Sequence, residues 1–241
     1  MKNTTLSLAL VAAMLALPMT ALAQDAAAPE EAESPFTWSL DLTSDYVFRG
    51  ASQTDEDPAL QLGGDFSFGS GFYVGAWASN VDFGAGGPDF EVDTFVGWNT
   101  DLNESFNLDL MVNRYNYIGS NDGFGNIDYN EFIAAVAYDE TYTFTFGYTN
   151  DVYNLNEDSF YYNLGGSWDI GRGFALDAAY GLTTFSGSTG YEDYQDWSIG
   201  LSREFGAITA ALGYYDTNSD GNVNFGELAD DRIVLTFSIG G

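Results

Sequence analysis

The sequence predicts an all-β fold, an antiparallel transmembrane β-barrel of about twelve strands with short periplasmic turns and longer extracellular loops. Three observations predict it. Strand-like segments have one large apolar face, aromatic residues lie at both ends of that face, and the connections alternate between short and long. Bacterial outer-membrane barrels share these features.

The stretch 141–149 shows the strand pattern most clearly. Every second residue is Tyr or Phe, and the residues between them are Thr or Gly. A period of two indicates a strand with one apolar face. The alternative, a soluble sandwich or lipocalin-like barrel, would be expected to fill its buried face with aliphatic residues. Aromatic residues at both ends of the apolar face instead resemble the girdles of a membrane barrel.

Along the chain, the same alternation predicts strands at residues 36–48, 59–68, 72–83, 90–99, 106–117, 127–138, 142–149, 160–169, 174–183, 194–203, 207–215 and 232–239. Most are close to the roughly 9–11 residues that a tilted strand needs to cross a membrane.

The predicted connections differ systematically in length. Short turns are expected at 69–71, 100–105, 139–141, 170–173 and 204–206. Mostly longer segments rich in Gly, Asn, Ser and Asp alternate with them, at 49–58, 84–89, 118–126, 150–159, 184–193 and 216–231. An outer-membrane barrel places its short turns in the periplasm and its long loops outside the cell, and an even strand number puts both termini in the periplasm.

The first residues are predicted to direct export. Lys2 precedes an apolar run at 6–17 that is too short to span a bilayer, and Ala21-Leu22-Ala23 forms a small-x-small cleavage site. We therefore expect a signal peptide at 1–23, a flexible periplasmic leader at 24–35 and the barrel at 36–241. The expected location is the cell outer membrane.

Composition excludes several function classes. The chain has 36 acidic and 6 basic residues, a net charge of −30, and no His or Cys. Such a charge repels nucleic acid, and it either serves solubility in a salty habitat or attracts cations into a pore. Without His or Cys, the usual catalytic triad, thiol chemistry and His-ligated zinc are unavailable. We predict that the chain is not an enzyme, and an outer-membrane hydrolase is a weak alternative.

Acidic residues recur on the strand faces opposite the aromatic ones. These are Asp41, Asp45, Asp65, Glu91, Asp93, Asp109, Asp177 and Asp196. Charged side chains facing lipid are costly, about 2 to 4 kcal/mol for Arg or Lys at mid-bilayer, so this face is predicted to line the lumen. Either the carboxylates favour cations in a pore, or they pair with Arg49, Arg114, Arg203 and Arg232 and brace the barrel.

Arg49 follows the first predicted strand directly, where the first outer loop begins. As a rare cation in an acidic lumen it could line a constriction. The preferred interpretation is a structural ion pair with Asp45 or Asp93.

The last predicted loop, DTNSDGNVNFGE at 216–227, matches the calcium-loop pattern in full. The candidate ligands are Asp216, Asn218, Asp220, Asn222, Asn224 and Glu227. Carboxylate and amide oxygens at alternate positions, a Gly for the turn and a closing Glu are what calcium requires. The flanking segments are predicted strands rather than helices, so a true EF-hand is not expected. The alternatives are a weak calcium site and a merely polar turn, and no other cofactor is expected.

Three segments in the first part of the chain carry a family resemblance: SDYVFRGASQT at 44–54, PALQ at 58–61 and GFYVGAWASNV at 71–81, followed by Glu91, Asp93 and Gly97. Together they resemble the TorF-type porins of Gram-negative bacteria. YYD at 214–216 and DRIV at 231–234 are similar to that family's last hairpin. The match is specific over 44–98 and loose in the middle, and it implies an outer-membrane channel of undefined substrate.

Two hypotheses follow. The first is a narrow porin-like channel for passive diffusion of small solutes, favouring cations. The second is a non-conducting structural or adhesive barrel with a calcium-stabilised surface loop. Expected partners are outer-membrane lipid and lipopolysaccharide, the barrel assembly machinery and small solutes, with no nucleic acid.

Overall fold

A computed structural model describes residues 34–121, 123–187 and 190–241. The predicted signal peptide at 1–23 and most of the predicted leader at 24–35 lie outside the described residues. Within the described part of the chain, no helix is long and apolar enough to cross a bilayer.

Twelve antiparallel strands form a closed barrel, in which each strand pairs with its neighbours in sequence and the first pairs with the last. The strands are β1 Phe36–Thr43, β2 Ala59–Ser67, β3 Phe72–Asn80, β4 Phe90–Asp101, β5 Phe106–Ile118, β6 Tyr129–Tyr138, β7 Tyr142–Thr149, β8 Ser159–Gly171, β9 Phe174–Phe185, β10 Tyr194–Phe205, β11 Ile208–Thr217 and β12 Arg232–Gly240. The predicted fold class is confirmed, and short turns at one end alternate with longer segments at the other, here called the loop end.

The first strand is shorter than predicted. It ends at Thr43 rather than Phe48, because the Thr43 hydroxyl donates a hydrogen bond to the Asp45 carbonyl and the chain turns inward. Residues 44–58, predicted to be partly strand and partly outer loop, form what we call the inner hairpin. Its two short strands, Val47–Phe48 and Ala51–Ser52, pair across a tight turn at Arg49 and Gly50. Both turn residues have positive φ, 48° and 81°, as a type I′ turn requires.

Large apolar side chains face outward around the whole barrel. Exposed examples from ten strands are Phe36, Leu60, Phe72, Phe90, Val112, Phe132, Phe144, Leu164, Ile199 and Leu212. A monomeric soluble protein rarely exposes a contiguous apolar surface of this extent, whereas lipid would cover it. The outward face is therefore suited to a bilayer.

The interior is divided into two unlike halves. On β3 to β6, Tyr73, Trp77, Phe95, Met111 and Ile133 point inward and form a buried cluster with the inner hairpin. The sequence predicts that an acidic face lines the lumen, but in this half large apolar side chains also point inward and fill the interior. The inward positions of β7 to β12 are mostly small or polar, and the cavity described below lies beside them.

Cross-strand pairing explains how the large side chains fit. Gly97 lies directly opposite Tyr73, and Gly75 lies opposite Phe95. A Cβ atom on Gly97 would overlap the Tyr73 ring, and one on Gly75 would overlap the Phe95 ring. Large and small inward residues thus alternate across neighbouring strands and close this half of the barrel.

We expect Gly97→Val to destabilise the barrel by about 1 to 3 kcal/mol, because the valine must displace the Tyr73 ring from a packed cluster. Urea unfolding in lipid vesicles measures this change. Gly165→Val is the matched control, since it also lies on an inward face but a Cβ there meets nothing closer than 3.7 Å. Equal stability of the two variants would contradict the packing argument.

Candidate functional site

The inner hairpin crosses the interior near the loop end. The Phe48 ring packs edge-on against Tyr115 of β5, with ring centroids 6.1 Å apart. On the other side, Gly50 lies so close to Thr217 and Asp196 that a Cβ would overlap the Thr217 side chain. The hairpin therefore contacts opposite sides of the barrel wall and narrows the lumen.

Arg49 anchors the tip of the hairpin. Its Nη2 donates to both carboxylate oxygens of Glu131 on β6, each at 2.8 Å. The guanidinium carbon lies 4.1 Å from the ring centroid of Tyr161 on β8, and the Tyr194 hydroxyl donates to the Arg49 carbonyl at 3.1 Å. One residue thus joins the hairpin to β6, β8 and β10.

The predicted partner of Arg49 is therefore wrong. It was expected to pair with Asp45 or Asp93, but the turn carries its side chain across the interior to Glu131. Asp45 instead fixes the base of the hairpin. It accepts hydrogen bonds from Ser52 Oγ at 2.6 Å and Thr54 Oγ1 at 3.0 Å, and it forms an ion pair with Arg232 at 2.9 Å.

The acidic residues singled out in the sequence all lie inside the barrel. Asp41, Asp45, Asp65, Glu91, Asp93, Asp109 and Asp196 are buried, and Asp177 is partly buried. Among the described residues, the acids paired with arginine are Asp45, Glu56, Asp128 and Glu131. Bracing by arginine thus accounts for Asp45 but not for the other seven predicted lumen acids.

Glu91 and Asp93 lie behind the inner hairpin rather than beside open space. Asp93 accepts a hydrogen bond from Asn113 at 2.9 Å, and Glu91 accepts one from the Tyr117 hydroxyl at 3.2 Å. Their exposed fractions are 1% and 2%. Neither residue lines the cavity described next.

A cavity of about 190 Å³ occupies the half of the interior bounded by β7 to β12. Its polar lining residues include Arg49, Asn163, Ser167, Asp177, Asp196 and Ser198. Oδ1 of Asp177 and Oδ2 of Asp196 are buried and have no hydrogen-bond partner within the protein. A buried carboxylate oxygen without a donor is unfavourable, so this cavity is suited to a positively charged solute or its water shell.

Aromatic residues from separate loops pack over the loop end. Tyr153 contacts Tyr129 edge-on at 5.7 Å and Tyr191 at 5.6 Å between ring centroids. Tyr191 in turn lies 5.8 Å from Phe225. Burial raises the pKa of the Tyr153 hydroxyl, so it stays neutral at ordinary pH. The described parts of these loops therefore pack against one another through their aromatic residues.

The segment 216–227 was predicted to be a polar loop, but it contains a helix, α1 Ser219–Phe225. Asn218 is its N-cap, with Oδ1 accepting from the Gly221 amide, and Asn224 exchanges two hydrogen bonds with the main chain of Glu192. Residues two apart on a helix point to nearly opposite sides. The structure therefore does not gather the six candidate oxygen ligands, and within the described chain no group of three or more acidic residues is placed to hold a metal.

Calcium binding at 216–227 stays a prediction, and it requires α1 to unwind. If it occurs, calorimetry on the folded barrel should show calcium heat that Asp220→Ala abolishes and Asp57→Ala, in the inner hairpin, leaves intact. Far-ultraviolet circular dichroism should show a loss of helix on calcium addition. Absence of calcium heat in the parent protein would show that the match is a consequence of composition.

Sequence reasoning missed Glu131, although its position could have revealed it. Glu131 precedes the outward Phe132 on β6, so the period of two places it on the inner face. Its partner could not be found this way, because Arg49 is 82 residues away.

We expect Arg49→Ala to cost about 3 to 5 kcal/mol of unfolding free energy, because Glu131 would remain buried without a countercharge. The side chains of Arg49 and Glu131 are 12% and 1% exposed. Arg49→Ala with Glu131→Gln should recover part of the loss. Arg114→Ala is the control, since its pair with Asp128 is longer and more exposed, and surface pairs contribute at most about 1 kcal/mol. Equal losses in the two arginine variants would contradict the anchoring role.

The fold is a closed antiparallel barrel with an apolar outer face and a segment folded into its interior. These features define the class of protein, an outer-membrane-type β-barrel. The chain belongs to the family described as "Bacterial protein of unknown function (Gcw_chp)", whose model matches residues 29–238. No curated protein sequence matches this chain.

Solved structures are similar in fold. The NanC porin aligns with a TM-score of 0.56 and 10% identity, covering 85% of this chain and 98% of that chain. A structure from work on in-meso crystallization of membrane proteins gives 0.53 and 9%, covering 85% and 83%. The KdgM porin gives 0.45 and 8%, covering 85% and 95%. At these identities the likeness concerns the fold alone.

Proposed function

We propose that this protein is a porin-like channel of the outer membrane that admits small solutes by passive diffusion and favours cations. The observation that carries the proposal is that the two carboxylates lining the cavity, Asp177 and Asp196, form no ion pair with an arginine. A low-dielectric wall that carries uncompensated negative charge raises the local concentration of cations and excludes anions. The fold shared with the NanC porin supports the channel part of the proposal.

The apolar outer face supports the proposed location. Outer-membrane lipid and lipopolysaccharide would cover it, and the barrel assembly machinery would insert it. The resemblance of residues 44–98 to TorF-type porins agrees with this assignment. A signal peptide at 1–23 would supply the export step.

The pore should be narrow and off-centre. The apolar cluster on β3 to β6 and the inner hairpin fill one half of the interior, so solutes would pass along β7 to β12. The cavity there, about 190 Å³, is smaller than the roughly 300 to 1,000 Å³ of typical ligand pockets. Only small solutes would fit.

Planar-bilayer recordings of the refolded mature chain under a KCl gradient test the proposal. We expect discrete conductance steps and a cation-selective reversal potential that weakens at high salt, because salt screens the carboxylates. Asp177→Asn with Asp196→Asn should shift the reversal potential toward zero. Glu91→Gln with Asp93→Asn is the matched pair and should change it little, because those residues lie behind the hairpin.

An anion-selective or unselective reversal potential would contradict cation preference. Silence from a barrel that migrates as a folded, heat-modifiable species would instead favour the second candidate, a non-conducting structural barrel. The anchoring of the inner hairpin to several strands is the observation that favours that candidate.

A further inference from the structure

We propose that the cavity beside β8 to β11 is a binding site for a linear organic polyamine, with ammonium groups held by Asp196 and Asp177. This inference rests on the proposed function only in that the solute must reach the interior. It adds a substrate class and names the residues that recognise it.

Asp196 forms one end of the site. The residue is 8% exposed, its Oδ1 accepts a 3.3 Å hydrogen bond from the Tyr161 hydroxyl, and its Oδ2 has no partner within the protein. Oδ2 occupies the space above Gly181, where a Cβ atom would overlap it. Only glycine at 181 allows the carboxylate to lie in this position, so the local sequence is adapted to hold a buried charge.

Asp177 forms the other end. Its Oδ2 accepts a hydrogen bond from Ser202 at 3.2 Å, while Oδ1 is buried and unpartnered. Asp177 and Asp196 both line the cavity, and each has one carboxylate oxygen without a donor, which a rotation of the side chain brings to a bound ammonium group. An ammonium group supplies both the missing donor and the countercharge.

The spacing of the two carboxylates indicates an extended ligand. Asp196 pairs with Gly181, which follows Asp177 by four residues along β9. Four residues of extended strand span about 13 Å, so a single small cation cannot contact both carboxylates. A chain with ammonium groups near its two ends can.

The floor between the carboxylates is built from small residues. Ala179 and Ser198 lie between them, Gly200 lies directly opposite Asp177, and Gly165 lies opposite Ala179 on the next strand. A Cβ atom on Gly200 would meet no atom closer than 3.4 Å, and one on Gly165 none closer than 3.7 Å. This leaves a trough in which a methylene chain can lie.

The charge of the site disfavours anions, and the spacing of its carboxylates disfavours a dehydrated metal ion. Arg49 at the rim is paired with both oxygens of Glu131 and also attracts Asp196, but it is the one positive charge against Glu131, Asp177 and Asp196, so the site keeps a net negative charge. Anions are therefore repelled. A dehydrated metal ion is also disfavoured, because it needs several ligands at one point and the described acids form no such group.

Isothermal titration calorimetry of spermidine into the folded barrel in detergent tests the inference. We expect saturable binding at low salt that weakens about tenfold or more in Asp177→Asn and in Asp196→Asn, because each loses a charge-assisted contact. Gly200→Leu should weaken binding similarly without changing any charge, because it fills the trough. Butylamine, with one ammonium group, should bind about tenfold or more weakly than spermidine.

Asp109→Asn is the control, since Asp109 is buried but lies outside the cavity and is hydrogen-bonded by Tyr73 at 2.8 Å. It should bind spermidine as the parent protein does. Each variant is first checked for heat-modifiable migration, so that loss of binding is measured only on folded barrels.

No spermidine heat in the parent protein, or equal affinity in the parent and both aspartate variants, would overturn the polyamine site. Calorimetry does not require conduction, so the two proposals fail separately. A silent barrel that binds spermidine through Asp177 and Asp196 would refute the channel and keep the site. A cation-selective channel without spermidine binding would refute the site and keep the channel.

Discussion

The contact between Arg49 and Glu131 decides the shape of the interior. The strands of a closed barrel satisfy their backbone hydrogen bonds with one another. Closure of the wall therefore does not determine which side chains or segments fill the lumen. The inner hairpin fills part of that space, and its tip is fixed by a charge pair that is almost fully buried. Because an unpaired charge there would be costly, the tip of the hairpin stays fixed across the interior, and the cavity lies beside it along β7 to β12.

The sequence predicts the strands of the barrel wall far more readily than the side chains and segments that fill the interior. The period of two places the apolar residues outside, and closure follows from strand number and loop alternation. The filling of one half depends on pairs such as Tyr73 with Gly97 and Phe95 with Gly75, which become visible only once the register is known. The inner hairpin could not be predicted for a related reason. Its first strand continues the alternation of β1, and the chain reverses at Arg49 and Gly50 through positive φ angles that the sequence pattern does not show.

The residue pattern at 216–227 is compatible with two local structures, a calcium-binding loop and a capped helix. Asp, Asn and Gly are calcium-loop residues, but they are also the residues that cap helices and form turns, since their short side chains bond nearby backbone amides. Asn218 takes the capping role, and Asn222 bonds the side chain of Asp230. The pattern identifies these polar groups but not their partners, which are a backbone amide of the motif for Asn218 and a residue beyond the motif for Asn222.

The distribution of charge separates structural from functional acids. Asp45 and Glu131 have arginine partners and fix the hairpin, so their burial is explained by the fold. Asp177 and Asp196, like Asp41, Asp65, Glu91 and Asp93, have a buried oxygen without a donor, and such groups reduce stability unless something else satisfies them. Unlike those four residues, Asp177 and Asp196 line the cavity. Natural sequences tolerate local violations of this kind mainly at functional sites. The two residues lie beside the open half of the interior, where a cation from solution can supply what the protein does not.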